Sequence, residues 1–168
     1  MHANRGMYAE EIVNRTIDYY LNNNVCLIEK RNIPIKIVKI INDNMIVGKL
    51  LSKSTVDYCG FINNNHFEFE VKQTNNQNFT IDLIKQHQYE YLRRAYLLRS
   101  LSFLIVHFSW CDEFYLLPFK WIDDYVKAHN TKTIKYLDIK NESYQLLITY
   151  PGILNLKETI LKLKVLDV

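Results

Sequence analysis

Asp57, Glu70 and Lys72 are the residues of this chain whose types and spacing could do chemistry. Two carboxylates followed by a lysine are what a metal-dependent nuclease needs. Oxygen ligands favour Mg²⁺ or Mn²⁺ over Zn²⁺, such an ion polarises a phosphodiester and activates a water, and a lysine supplies a compact positive charge for the attacking water or the developing phosphorane oxygen. Successive residues of a strand point to opposite faces, so Glu70 and Lys72 point the same way. The same spacing also describes a solvated polar face on which Lys72 neutralises Glu70.

The element that must position Asp57 opposite Glu70 is a hairpin. Asn63, Asn64 and Asn65 interrupt two runs of strand-forming residues, and Asn tolerates the left-handed backbone of a tight turn. A loop centred on Asn63 and Asn64 pairs Ile62 with Asn65, Tyr58 with Phe69, and Asp57 with Glu70. One face then carries Asp57, Cys59, Phe61, His66, Glu68, Glu70 and Lys72, and the other carries Tyr58, Gly60, Ile62, Phe67, Phe69 and Val71 as core. Carboxylates directly opposite on a sheet, with side chains roughly 5 Å apart, repel unless something compensates, and a divalent cation would do so.

Around this hairpin, residues 7–21 show helical spacing through Ile12, Val13, Ile17, Tyr20 and Leu21. Glu10 stands on the edge of that stripe, as a rim residue or as an extra ligand. Val25 to Lys30 and Ile33 to Ile41 read as strands, joined across Asn32 and Pro34. From Asn42 to Lys53 a turn at Asp43 and Asn44 leads into an apolar run that projects from the body. A helix is expected from Ile81 to Arg99, with Thr80 as N-cap and an apolar stripe of Ile84, Tyr91, Leu92, Ala95 and Leu98. Gln88 falls on that stripe, either as a core glutamine bonded to a neighbouring strand or facing the carboxylates and holding a water, because a buried unpaired amide costs about 1–3 kcal/mol. Lys85, Arg93, Arg94 and Arg99 form the opposite face, solvated or in contact with phosphates. Leu101 to Ser109 and Phe114 to Leu117 read as an inner strand and its hairpin partner, and Pro118 to His129 as a helix opened by proline. Tyr144 to Tyr150 is strand-like and breaks at Pro151 and Gly152.

The chain has 168 residues, nearly half of them hydrophobic, which suits one domain with a buried core. A formal charge of +3 is compatible with a polyanion partner without identifying one. Three scattered cysteines argue against a disulfide framework or a zinc site, and the five histidines lack metal-ligand spacing. The apolar run around Leu101 to Phe108 is too short to span a bilayer, so a soluble cytoplasmic protein is expected, with no membrane role. No Gly-rich phosphate loop or Ser-centred elbow appears.

The chain resembles the RecU family of Holliday junction resolvases. The resemblance is carried by Asn4-Arg5-Gly6-Met7 with Glu10, by Pro34 to Lys39, by Ser54-Thr55-Val56-Asp57-Tyr58 with Gly60, by Phe69-Glu70-Val71-Lys72-Gln73-Thr74, by His87-Gln88, by Phe103-Leu104-Ile105, and by Leu117-Pro118, in order along nearly the whole chain. It implies an α/β fold with a restriction-endonuclease-like core, in which helices flank a mixed central sheet and a short stalk segment projects. A single nuclease domain over residues 1–168, with a stalk-like insertion at about 42–53, would follow. The activity implied is a Mg²⁺- or Mn²⁺-dependent endodeoxyribonuclease that nicks four-way DNA junctions symmetrically as a homodimer in recombination and repair. The RecA recombinase and a branch-migration helicase are its implied partners.

By position, Asp57 and Glu70 match the family's metal-binding carboxylates, Lys72 its catalytic lysine, Glu10 its first-helix glutamate, and Thr55 and Gln88 its auxiliary metal-site residues. Arg5, Lys49, Lys53, Lys85, Arg93 and Arg94 are the expected DNA-backbone contacts. The stalk segment departs from the family in looking shorter and in lacking a basic pair, with Lys49 and Lys53 as its cations. That departure keeps open a junction-binding, strand-annealing or recombinase-modulating protein that cuts poorly.

Overall fold

The nearly continuous apolar run of Leu101 to Phe108 becomes an inner strand of a six-stranded sheet. A computed structural model of the chain describes residues 7–52 and 55–166. Helix α1 (Met7–Asn22) forms where Ile12, Val13, Ile17 and Tyr20 recur at helical spacing, and all four are buried. Asn24, with φ 53°, turns the chain into β1 (Leu27–Lys30). Strands β2 (Ile35–Asn42) and β3 (Met45–Leu50) then pair antiparallel with each other in a separate two-stranded sheet.

Strands β4 (Tyr58–Ile62) and β5 (Asn65–Thr74) form the expected hairpin in the expected register, from Ile62 opposite Asn65 to Tyr58 opposite Phe69. Asn63 and Asn64 take φ of 45° and 63°, the left-handed pair that a two-residue turn requires. After the short β6 (Phe79–Thr80) and a 3₁₀ turn at Ile81–Leu83 comes α2 (Gln86–Leu97), which returns the chain to β7 (Leu101–Phe108) and its antiparallel partner β8 (Glu113–Pro118). Helix α3 (Phe119–His129), β9 (Thr133–Ile134), α4 (Tyr136–Glu142), β10 (Tyr144–Leu146), the pair β11 (Ile148–Thr149) and β12 (Ile153–Leu154), and α5 (Leu156–Leu166) complete the described chain.

The main sheet runs β1, β4, β5, β7, β8, β10, with β5 and β7 parallel and every other pair antiparallel. Helices flank both of its faces, so the chain has the mixed α/β architecture expected. Period-two alternation assigns the faces. Phe67, Phe69, Phe103 and Ile105 pack with α1 and α5, whereas Leu104, Val106, Tyr115 and Leu117 pack with α2, α3 and α4. Tyr58, Phe69 and Phe103 stack across three strands at centroid distances of 4.8 and 5.1 Å, and each such pair contributes about 0.5–1.5 kcal/mol beyond its buried area. That stack fixes the relative positions of β4, β5 and β7, and so the placement of what stands on the opposite face of β5. Among the described residues no helix is long and apolar enough to cross a membrane.

Three expectations need correction. The helix expected from Ile81 starts at Gln86 instead, with Lys85 as its N-cap. The Ile81 N–H donates to the Lys132 carbonyl at 2.8 Å because β6 pairs with β9, a contact more than fifty residues away in sequence, and Thr80 makes no capping bond through its side chain. Leu98, placed on the apolar stripe, is 82 % exposed, because α2 ends one residue before it. The projecting segment is also longer than Asn42 to Lys53. It takes in β2, which the alternation of Ile33 to Ile41 had assigned to the body, and every residue of both strands is exposed. The longer hairpin carries Lys36, Lys39 and Lys49.

Candidate active site

Strand β5 turns Glu68, Glu70 and Lys72 toward α2, and that helix covers them, so two carboxylates on a face read from sequence as polar are buried. Glu70 is 1 % exposed. Three groups satisfy its carboxylate. Oε2 accepts from the backbone N–H of Asp57 at 3.0 Å, and Oε1 accepts from Lys72 Nζ and from Gln88 Nε2, both at 2.6 Å. Asp57 lies just before β4, one residue beyond the last ladder pair of Tyr58 and Phe69, and reaches Glu70 through its backbone N–H. Asp57 is close enough to perturb the Glu70 carboxyl. Burial pushes the Glu70 carboxyl up to about 7, Lys72 opposes that rise, and the neighbouring Asp57 carboxylate reinforces it.

Gln88 is buried on α2 at the third position of the helix. Its side-chain oxygen accepts from the Lys85 backbone N–H at 3.1 Å and from Lys72 Nζ at 3.3 Å, while its amide nitrogen serves Glu70. Both sequence alternatives for this glutamine therefore hold in part. It is a satisfied core amide, and the neighbouring strand it bonds is the one that carries Glu70 and Lys72. The same bond to Lys85 opens α2, so one side chain couples the helix start to the carboxylate.

Beside this cluster lies an open cleft of about 1230 Å³ lined by Glu10, Arg31, Asp57, Lys85 and Gln88 among others. Glu10, on α1, points its Oε2 at Lys30 Nζ across 2.8 Å at the cleft rim. Thr55 Oγ1 accepts from Arg31 Nη1 at 3.0 Å. Of the expected DNA contacts, Lys85 reaches the cleft, Lys49 is exposed on the β2–β3 hairpin, and Arg93 and Arg94 are exposed on later turns of α2 away from it. Arg5 and Lys53 lie outside the described residues. Arg31 was not singled out from sequence. The available signal was Glu68, a third carboxylate on the face of Glu70, which needs a cation once that face is covered.

Among the described residues, no group of three or more His, Cys, Asp or Glu surrounds one point. The protein therefore offers two carboxylates, with the Thr55 hydroxyl and the Gln88 amide as further oxygens near by. Mg²⁺ and Mn²⁺ fit such a set, because these ions are held by one or two carboxylates and complete their shell with water and substrate phosphate oxygens. The rise that burial and the neighbouring Asp57 impose on Glu70 is the kind of electrostatic cost that a bound cation relieves.

The sequence matches the Recombination protein U family over residues 4–162. It is 33 % identical to the Holliday junction resolvase RecU of Ureaplasma parvum serovar 3, over 99 % of this chain and 98 % of that one. It is 34 % identical to the Holliday junction resolvase RecU of Mycoplasmopsis pulmonis, over 90 % of each chain. The structure of Hjc, a Holliday junction resolvase from Archaeoglobus fulgidus, aligns with 83 % of this chain and 95 % of its own at a TM-score of 0.49 and 9 % identity.

Proposed function

The chain belongs to the Recombination protein U (RecU) family, and from that premise we propose that it is a Holliday junction resolvase, an endonuclease that hydrolyses phosphodiester bonds in four-way DNA junctions. The observation that carries the chemistry is the buried Glu70 carboxylate, hydrogen-bonded at once by the Asp57 amide, Lys72 and Gln88. Asp57 and Glu70 are the groups that hold the catalytic cation, Mg²⁺ or Mn²⁺, with Thr55 and Gln88 as auxiliary oxygens. Such an ion, when bound, polarises the scissile phosphate and lowers the pKa of a bound water.

The chain's own residues do the rest. The Gln88 amide keeps one oxygen of Glu70 oriented while the Asp57 N–H holds the other, so the pair of carboxylates is organised before substrate arrives. Lys72, only 17 % exposed through its side chain, keeps its ammonium at Glu70 Oε1 and presents positive charge in a partly desolvated place, where it stabilises the charge developing on phosphate oxygens. Glu10, paired with Lys30 at the rim, lines the same cleft as Asp57 and is proposed as a further carboxylate of the site.

Two such sites in a homodimer would nick two strands symmetrically, each protomer being a single nuclease domain with one site and with its β2–β3 hairpin as the stalk that meets the junction. Arg5, Lys49, Lys53, Lys85, Arg93 and Arg94 are proposed to contact the DNA backbone, which makes binding fall as salt rises through counterion release. The protein would work in the cytoplasm beside the RecA recombinase and a branch-migration helicase.

A second reading, a junction-binding protein that cuts poorly, draws on the apolar character of the hairpin, where Val38 and Ile40 are 67 % and 68 % exposed. One experiment separates the two. A synthetic four-way junction, a flap and a linear duplex are incubated with the protein in Mg²⁺ or Mn²⁺. Selective cleavage of the junction supports the resolvase, binding without cleavage supports the binding protein, and equal cleavage of all three DNAs contradicts junction selectivity.

A further inference from the structure

Glu68 stands on the same face of β5 as Glu70 and is 3 % exposed, yet the chemistry above makes no use of it. A buried carboxylate needs a cation and further donors. Its cation is Arg31, just past the end of β1, whose Nη2 lies 2.6 and 2.7 Å from the two carboxylate oxygens. Tyr91 of α2 donates its hydroxyl to Glu68 Oε1 at 2.9 Å, and the guanidinium lies over the Tyr91 ring at 5.1 Å. The arginine is held from two sides.

What it holds in turn is the segment that enters β4. Its other terminal nitrogen, Nη1, donates to the Thr55 hydroxyl at 3.0 Å, and its backbone N–H donates to the Asp57 carbonyl at 2.7 Å. The Asp57 peptide is therefore fixed at both ends, its carbonyl by Arg31 and its N–H by Glu70. Residues 55–57 belong to no strand. The Asp57 side chain is placed by these bonds together with the start of the β4 ladder.

We propose that Arg31 is a positioning residue for the cleavage site: its guanidinium, neutralised by Glu68, holds Thr55 while its amide holds Asp57 where that carboxylate shares a cation with Glu70. The inference rests on the resolvase reading for its activity readout. Glu68 has the complementary task of keeping the arginine charge away from Asp57 and Glu70. Only a planar fork of donors serves Glu68 and Thr55 together, so a lysine at this place keeps the charge and loses the arrangement.

The test uses the full-length protein with Arg31→Lys, Arg31→Met and Glu68→Gln. Calorimetry measures affinity for Mn²⁺ alone, gel shift in Ca²⁺ measures affinity for a synthetic four-way junction, and single-turnover reactions in saturating Mn²⁺ measure cleavage. Groups that orient metal ligands are worth about 10- to 100-fold in metal affinity or activity. Arg31→Lys is expected to lose that much in Mn²⁺ affinity and in cleavage rate while its junction affinity, with charge conserved, stays within about threefold. Glu68→Gln, which keeps the shape of the pair, is expected to weaken Mn²⁺ through the freed arginine charge, and it decides the matter should Arg31→Met not fold.

An Arg31→Lys protein with the Mn²⁺ affinity and cleavage rate of the parent overturns the proposal. So does a loss in Arg31→Met confined to junction affinity, which would make Arg31 a phosphate contact. If the parent binds Mn²⁺ and the junction but does not cut, the resolvase reading fails, and Mn²⁺ affinity alone still decides the role of Arg31. A parent that binds no Mn²⁺ overturns both.

Discussion

Replacing Glu70 with glutamine should change how stability depends on pH, and the sign follows from where the carboxylate sits. Burial raises its pKa from 4.5 to about 7, with Asp57 adding to the rise and Lys72 opposing it. For an acid whose pKa is raised in the folded state, the stabilising contribution is fully present below the unfolded value. It is lost as pH climbs through the folded value, because a proton that folding favours has to leave. The shift corresponds to roughly 3 kcal/mol, since one pKa unit is worth about 1.4 kcal/mol.

In Glu70→Gln this titration is gone, and with it the Lys72 ion pair, which forms only as the carboxylate ionises and is already contained in the shift. Urea unfolding of the metal-free parent and variant at pH 4.5, 6 and 8 should therefore show the variant gaining on the parent by roughly 3 kcal/mol across the series. Adding Mn²⁺ at pH 8 should restore stability to the parent alone, by about 2.7 kcal/mol at a hundredfold excess over its Kd. A parent-to-variant difference that stays flat from pH 4.5 to 8 refutes the claim that burial of Glu70 sets the electrostatics of the site.

Three further outcomes are expected. Phe103→Ala removes one end of the aromatic stack at a fully buried position and should cost about 3–5 kcal/mol, read as a lowered urea midpoint with an unchanged slope. Gly60→Ala would place a Cβ 2.3 Å from the Phe67 ring and 2.6 Å from the Leu27 carbonyl oxygen, so it should lose roughly 1–3 kcal/mol through overpacking against backbone that has no room to yield. The Tyr115 and Tyr136 hydroxyls hold the Glu113 carboxyl below its ordinary range, with Lys140 adding to the effect. That contribution is present above the unfolded pKa and is lost as pH falls through the folded one, so Glu113→Gln should flatten the acid limb of a melting-temperature profile relative to the parent. A parallel acid limb in the two proteins contradicts this.

The residues legible in the sequence were those governed by short-range rules. Period-two alternation and the tolerance of Asn63 and Asn64 for positive φ fix the hairpin register, which the structure keeps as far as Tyr58 opposite Phe69, and the Asp57 N–H next to it bonds the Glu70 carboxylate. What escaped depends on distant partners. Ile81 leaves the helix because its N–H is taken by Lys132. The alternation in Ile35 to Asn42 looks the same whether a strand joins the main sheet or pairs only with its own hairpin partner, so the pattern alone does not place β2. Arg31 is one basic residue in a connection, and its meaning comes from Glu68, thirty-seven positions on. Gln88 lay between the two cases. Its place on an apolar stripe announced that it needs a partner, while the identity of that partner required the fold.

Asp57 and Glu70 are proposed to hold together the ion that cuts junction DNA, with Lys72 beside it. The most direct test is cleavage of a synthetic four-way junction in Mn²⁺ by the parent and by Asp57→Asn, with junction affinity measured in parallel. The expected result is paired, symmetric nicks from the parent, and at least a hundredfold slower cleavage, on the order of an oriented ligand's worth, from an Asp57→Asn protein that still binds the junction. Cleavage by Asp57→Asn at the parent's rate would contradict the account.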